Sequence, residues 1–222
     1  MKRQWLTMLT LVGCAGMLTA TAAQAQTTIT LASSSEFVEF YTGSPAGNLN
    51  VNLGWTPGDN NAGSRTLDGA LGNSGTPGSW GSNPNFSLTT NDPIALAGNG
   101  SGTFTAQAPS LAGSVFDVMS GAGATVFQGM LSALSFDQAA GSNAVTMTAT
   151  LDGTGSFSSA VYNLMGSIIL APGANLEAVA NSSSQIDEAG VIVPEPASVM
   201  LFGTGLLMLV GLGVMRRRQW TA

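Results

Sequence analysis

The central region of this 222-residue chain predicts an all-β fold, an antiparallel β-sandwich or jelly roll. Three observations predict it. Apolar and small polar residues alternate in short runs, the period-2 mark of a half-buried strand. Gly, Asn, Asp and Pro separate the runs, as turn residues do. Helix formers are scarce, with no Lys and little Glu between residues 27 and 193. Short strands at this spacing suit packed antiparallel layers rather than a helical or α/β body.

Along the chain the expected strands are 28–31 (TITL), 36–41, 49–53 (LNVNL), 86–90, 102–107, 114–119, 124–128, 131–136, 145–151, 156–162 and 167–170. The run 145–151 (VTMTATL) is the cleanest: Val145, Met147, Ala149 and Leu151 fall on one face and three threonines on the other. Segment 54–85 breaks the rhythm with eight Gly, five Asn and three Pro, and is expected to be a long Gly/Asn-rich loop. Segment 180–193 (ANSSSQIDEAGVIV) is expected to be a polar stalk, which leaves 26–179 as the folded ectodomain. That length buries enough surface to fold without cross-links. Residues 100–114 and 153–167 share Gly, Gly, Phe, Leu, Gly and Ser at an offset of 53, through related hairpins or through chance in a Gly/Ser-rich chain.

The N-terminus has the three parts of a secretory signal peptide, expected over 1–25. Lys2 and Arg3 are its positive region, 5–18 its apolar run, and Ala23-Gln24-Ala25 its small-residue site, with cleavage before Gln26. A competing feature lies within it: Leu11-Val12-Gly13-Cys14 has the form of a lipobox, which would lipidate Cys14. With the signal peptide removed, the chain has no cysteine, and an exported fold must be held by its core alone.

The C-terminus carries a second address. Residues 197–215 are free of charge, and as a helix they would reach roughly 28 Å, close to the hydrocarbon thickness of a bilayer. Arg216, Arg217 and Arg218 follow at once and by the positive-inside rule would stay cytoplasmic, with everything before the span facing outward. Immediately before the span stand Pro194, Glu195 and Pro196. The two prolines forbid a helix there and favour extended backbone that a processing enzyme could grip.

Pro-Glu-Pro, an apolar helix and an arginine cluster, in that order and paired with a signal peptide, resemble the PEP-CTERM sorting signal, here spanning 194–218. The resemblance implies recognition of Pro194, Glu195 and Pro196 by an exosortase, with 201–215 as a transient inner-membrane anchor and Arg216–Arg218 as the stop. It also implies removal of the tail and delivery to the cell surface or exopolysaccharide matrix of a Gram-negative bacterium. It implies nothing about the middle of the chain.

Charge narrows the chemistry of that middle. Charged residues are 8% of the chain, against about 25% in an average soluble domain. Between residues 27 and 193, eleven carboxylates face a single cation, Arg65. One arginine cannot build a nucleic-acid surface. The absence of His excludes Ser-His-Asp and Cys-His sites, and a middle without Lys excludes Schiff bases and lysine phosphate cradles.

Four kinds of site remain. A glycosidase needs two suitably spaced carboxyl groups, but neither Glu36 with Glu39 nor Asp187 with Glu188 stands out from acids that keep a domain soluble. Asp59, Asn60, Asn61 and Asp68 could offer Ca²⁺ hard oxygen ligands, though Asx residues beside Gly are also ordinary turn chemistry. Trp55 and Trp80 fall in the Gly-rich segment with Tyr41 and Phe86 flanking it, and could stack on sugar rings; large aromatics at such places also cap cores. Self-association is the fourth, because strand edges without Lys meet little resistance to pairing. The expectation is therefore a non-enzymatic, exported surface or matrix protein without a required cofactor, and a carbohydrate-binding module acting on the cell's own polysaccharide is the alternative. A carboxylate-based glycan hydrolase is a distant third.

Overall fold

The alternating run at 145–151 lies within β10 (Ala144–Gly153), and β10 is the middle of three long strands. The computed structural model describes residues 27–55, 64–72, 80, 84–91, 93–155, 161–184, 186 and 188–193. β10 pairs antiparallel with β9 (Thr125–Gln138) and β11 (Val161–Leu170), its neighbours in the chain. Before them come β1 (Thr27–Ser34), β2 (Phe37–Thr42), β3 (Asn48–Trp55), β4 (Ser64–Leu71), β5 (Asn85–Asn91), β6 (Ile94–Gly98), β7 (Thr103–Ala106) and β8 (Val115–Met119). A 3-10 turn at Ala108–Leu111, a five-residue helix α1 (Leu176–Ala180) and β12 (Glu188–Val193) complete the described elements.

Hydrogen bonding joins the twelve strands in one sheet, in the order β1-β4-β5-β8-β9-β10-β11-β12-β2-β3-β6-β7. All pairings are antiparallel except β1 with β11. The fold is all-β and mainly antiparallel, as expected. The order also closes on itself twice, because β7 pairs with β9 and β1 with β11. Two circuits share β9–β10–β11. One returns through β8, β5, β4 and β1, the other through β12, β2, β3, β6 and β7. Every described strand therefore has a neighbour on each side, and the unguarded edge imagined for self-association has no counterpart among the described strands.

Two local devices let long strands serve both circuits. On β9, β8 takes the first half and β7 takes Ser135 to Asp137. Between them Ser132 and Ala133 are both exposed, and the register with β10 slips by one residue after Thr150. The bulge inverts the alternation, so the buried positions include Phe127, Gly129 and Leu131 before it and Leu134, Phe136 and Gln138 after it. Read by alternation alone, one strand therefore looks like two, 124–128 and 131–136. On β11 the edge changes hands at Gly166, between β1 opposite Met165 and β12 opposite Ser167. A Cβ at Gly166 would press on Leu31 at 3.3 Å.

Inward residues of both circuits form one core. Phe116 lies between Phe86 at 5.8 Å and Phe127 at 6.5 Å, and Phe127 meets Tyr162 edge-on at 4.8 Å. In the other circuit Phe40 meets Phe136 edge-on at 5.0 Å. Such pairs contribute roughly 0.5–1.5 kcal/mol beyond the area they bury.

The structure corrects the segmentation in four places. The expected loop 54–85 contains β4, whose inward positions Arg65, Leu67, Gly69 and Leu71 alternate too weakly to reveal a strand. Gly69 is required there, since a Cβ would strike the Ser33 carbonyl and the Phe86 ring. The expected stalk 180–193 ends in β12, which is inserted between β11 and β2, so the folded body extends to Val193. β6 was not expected at all, and 161–170 is one strand where 156–162 and 167–170 were expected as two. The signal peptide 1–25, the sorting signal 194–218 and its span 197–215 lie outside the described residues. Among the described residues no helix is long and apolar enough to cross a membrane.

Candidate functional site

The register of β2 against β3 is set by what the pair buries. Val38 and Phe40 on β2, and Leu49, Val51 and Leu53 on β3, are fully buried. Alternation then turns Phe37, Glu39 and Tyr41 outward on one strand and Asn50 and Asn52 outward on the other. The pairs across the strands are Tyr41 with Asn50, Glu39 with Asn52 and Phe37 with Trp55. Trp55 reaches this face through a bulge. Strict alternation would point it inward like Leu53, but Gly54, at φ +79°, is the extra residue between them. No other residue fits at 54, because a Cβ there would run into the Thr66 carbonyl of β4.

The result is a half-buried outer face with an aromatic pair at one end and Tyr41 at the other. Phe37 and Trp55 meet edge to face with centroids 6.1 Å apart. Phe37 and Tyr41 are four positions apart on β2, or about 13 Å along the strand. Between the two ends the Asn52 amide donates to Glu39 Oε2 at 2.8 Å. Small side chains flank this pair: Ala189 of β12 is opposite Glu39, and Ala95 of β6 is opposite Asn50. Aromatic planes can cover the C–H faces of a sugar ring, while amide and carboxylate groups can bind its hydroxyls.

The three aromatic residues expected to act together are divided by the structure. Trp55 and Tyr41 share the β2–β3 face. Trp80 is 6% exposed and lies 6.0 Å from Phe127, and Phe86 is fully buried, so both belong to the core. Sequence reasoning missed Phe37, Asn50 and Asn52 and set Glu39 aside. The signal was present in the polar positions of two consecutive strand runs, and only the pairing of β2 with β3 made it one surface.

The other candidates come out as follows. Asp59, Asn60 and Asn61 lie outside the described residues, and Asp68 is exposed on β4. Among the described residues no three Asp, Glu, Cys or His groups come together to hold a metal. Asp68 and Asp117 stand on either side of Ser87, two strand spacings or about 10 Å apart, on an open face. Asp117 accepts a hydrogen bond from Gln128 at 2.9 Å. Glu36 sits in the β1–β2 turn, where its N–H donates to Ser34 Oγ, and Glu188 opens β12 opposite Phe40. Asp187 lies outside the described residues.

Two further hollows lie among the described residues. One of about 480 Å³ adjoins Gln138 and Glu177. Its polar side chains are engaged within the fold: Gln138 Nε2 donates to the Ser142 and Ala174 carbonyls, its Oε1 accepts from Leu176 N–H, and Glu177 accepts from Gly102 N–H. The other, about 420 Å³, lies over Ser135, Thr148 and Met165 on the outer side of β9–β11, where the two hydroxyls bond at 2.7 Å. Neither contains an aromatic residue.

Compared with known proteins, the chain matches no family model, no curated protein and no solved structure.

Proposed function

We propose that this chain is an exported, non-enzymatic protein of the cell surface or exopolysaccharide matrix. On this reading it is held briefly at the inner membrane by its C-terminal span and released by an exosortase. On the same reading the closed double circuit is a sandwich-like ectodomain. The order of the pieces along the chain supports this reading: a signal-peptide pattern over 1–25, an all-β body, then Pro194, Glu195 and Pro196, an uncharged run over 197–215 and Arg216, Arg217 and Arg218.

Fractionation of cells expressing the full chain with an exosortase tests this. Glu195→Ala, or deletion of Arg216–Arg218, is expected to leave the protein in the inner-membrane fraction. Unchanged release into the medium would refute the sorting reading.

A second reading, a carbohydrate-binding module acting on the cell's own polysaccharide, is favoured by the shared outer face of Phe37, Trp55 and Tyr41 with Asn52 and Glu39 between them. The two readings are compatible, since a matrix protein that grips polysaccharide is retained where it is delivered. Self-association remains part of the proposal only through faces or loops, because edge pairing has lost its basis.

A further inference from the structure

We infer that the outer face of β2–β3 is a binding platform for a glycan free of acidic groups, lying along the strands from the Phe37–Trp55 pair to Tyr41. The inference rests on the carbohydrate-binding reading and adds a place, a set of residues and a ligand class.

Three features select this ligand. First, the aromatic groups stand on the outside of the sheet, and the bulge at Gly54 is what places Trp55 there. A tryptophan needed only for packing had an inward position available on the same strand, since unbroken alternation would have buried it. Second, the groups between the aromatic ends are those that bind neutral hydroxyls. Asn52 and Asn50 stand in file on β3, and the Glu39 carboxylate, 7% exposed, holds the Asn52 amide at 2.8 Å. Glu39 is thus a positioning residue for Asn52. The neighbours across the strands are small, Ala189 opposite Glu39 and Ala95 opposite Asn50. Third, charge excludes the alternatives. The face carries Glu39, and across residues 27 to 193 eleven carboxylates stand against one cation, Arg65. A polyanion such as a uronic-acid polymer would meet like charge locally and from the whole body. A neutral glycan meets no such penalty. The interval of about 13 Å between the aromatic ends accommodates a short run of sugar rings.

The test uses the purified full-length protein in a mild detergent, with binding measured by sedimentation with insoluble neutral polysaccharide and by calorimetry with soluble neutral oligosaccharides. Polyuronate of matched length is the comparison. Binding to the neutral glycans and not to polyuronate is expected. Trp55→Ala and Phe37→Ala are each expected to weaken it about tenfold. Trp55→Phe and Phe37→Tyr, which keep a ring in place, should largely restore it, and this separates a lost platform from a damaged fold. Glu39→Ala is expected to weaken binding, with partial rescue by Glu39→Gln, which still accepts from Asn52. Neutral-glycan binding that survives both alanine changes would overturn this placement while leaving the carbohydrate-binding reading intact. Binding to polyuronate alone would overturn the ligand class. No binding to any polysaccharide would sink that reading together with the inference.

Discussion

Val193, the last residue of β12, is paired with Ser167 on β11, and Pro194 is the next residue in the chain. At the other end Thr27 is paired with Tyr162, on the same edge of the same strand. The two ends of the body therefore leave from one edge of β11, five positions or about 17 Å apart. Only residues 194–196 separate β12 from the apolar run that starts at Ala197, a reach of about 13 Å.

β12 is part of the fold, which separates two truncations. A chain ending after Val193 should keep a cooperative melt. A chain ending after Asp187 lacks β12, which opens the second circuit between β11 and β2 and removes the buried Ile192, and it should be strongly destabilised or unfolded. In the full chain, Ile192→Ala is expected to cost about 2–5 kcal/mol in urea denaturation. Gly190→Val should also destabilise, because a Cβ there would approach the Ile169 carbonyl at 2.5 Å. Equal stability of the two truncations would return residues 188–193 to the role of a stalk.

Gln138 joins three chain segments at one end of the molecule. Its amide donates to Ser142 and Ala174 carbonyls at 2.7 and 2.8 Å, and its oxygen accepts the first helical N–H, Leu176, at 2.8 Å. Gln138→Leu keeps the bulk and strands these backbone groups, each at a cost of roughly 1–3 kcal/mol when buried. A loss of about 3 kcal/mol in chemical denaturation is expected, with faster amide exchange at Leu176. A variant as stable as the parent would mean that water or local rearrangement replaces all three bonds.

The two tryptophans of the body should respond oppositely to truncation. Trp80→Ala empties a core position against Phe127 and is expected to cost about 3–5 kcal/mol. Trp55→Ala, on the half-buried outer face, should cost clearly less stability and mainly affect glycan binding. Paired thermal melts and sedimentation assays read both quantities. A Trp80→Ala protein that is stable and fails to bind sugar would reverse the assignment of the two residues.

Much of the strand content was legible because alternation is local. Residues such as Val145, Met147 and Leu151 announce β10 from their own spacing, and both terminal addresses are likewise written in contiguous runs. β4 and β12 stayed hidden because their inward positions include Gly69 and Gly190, chosen for close approach by Phe86 and Ile169 and not for hydrophobicity. β9 read as two strands because Ser132 and Ala133 shift the phase midway, and a period-2 reading cannot pass a bulge.

The sequence by itself determined the all-β class, most of the strand positions, the strongly acidic body and the two segments that look like addresses. Each of these depends on neighbours within a few residues, where side-chain alternation, turn chemistry and charge act without help from the rest of the chain. Tertiary structure alone decided that β1 and β12 divide one edge of β11, and that Trp80 is core while Trp55 is surface. It alone placed Phe37, Trp55 and Tyr41 beside Asn52 and Glu39. These are consequences of strand pairing and of one bulge at Gly54, and pairing partners are set by burial across the whole sheet, which no local window contains.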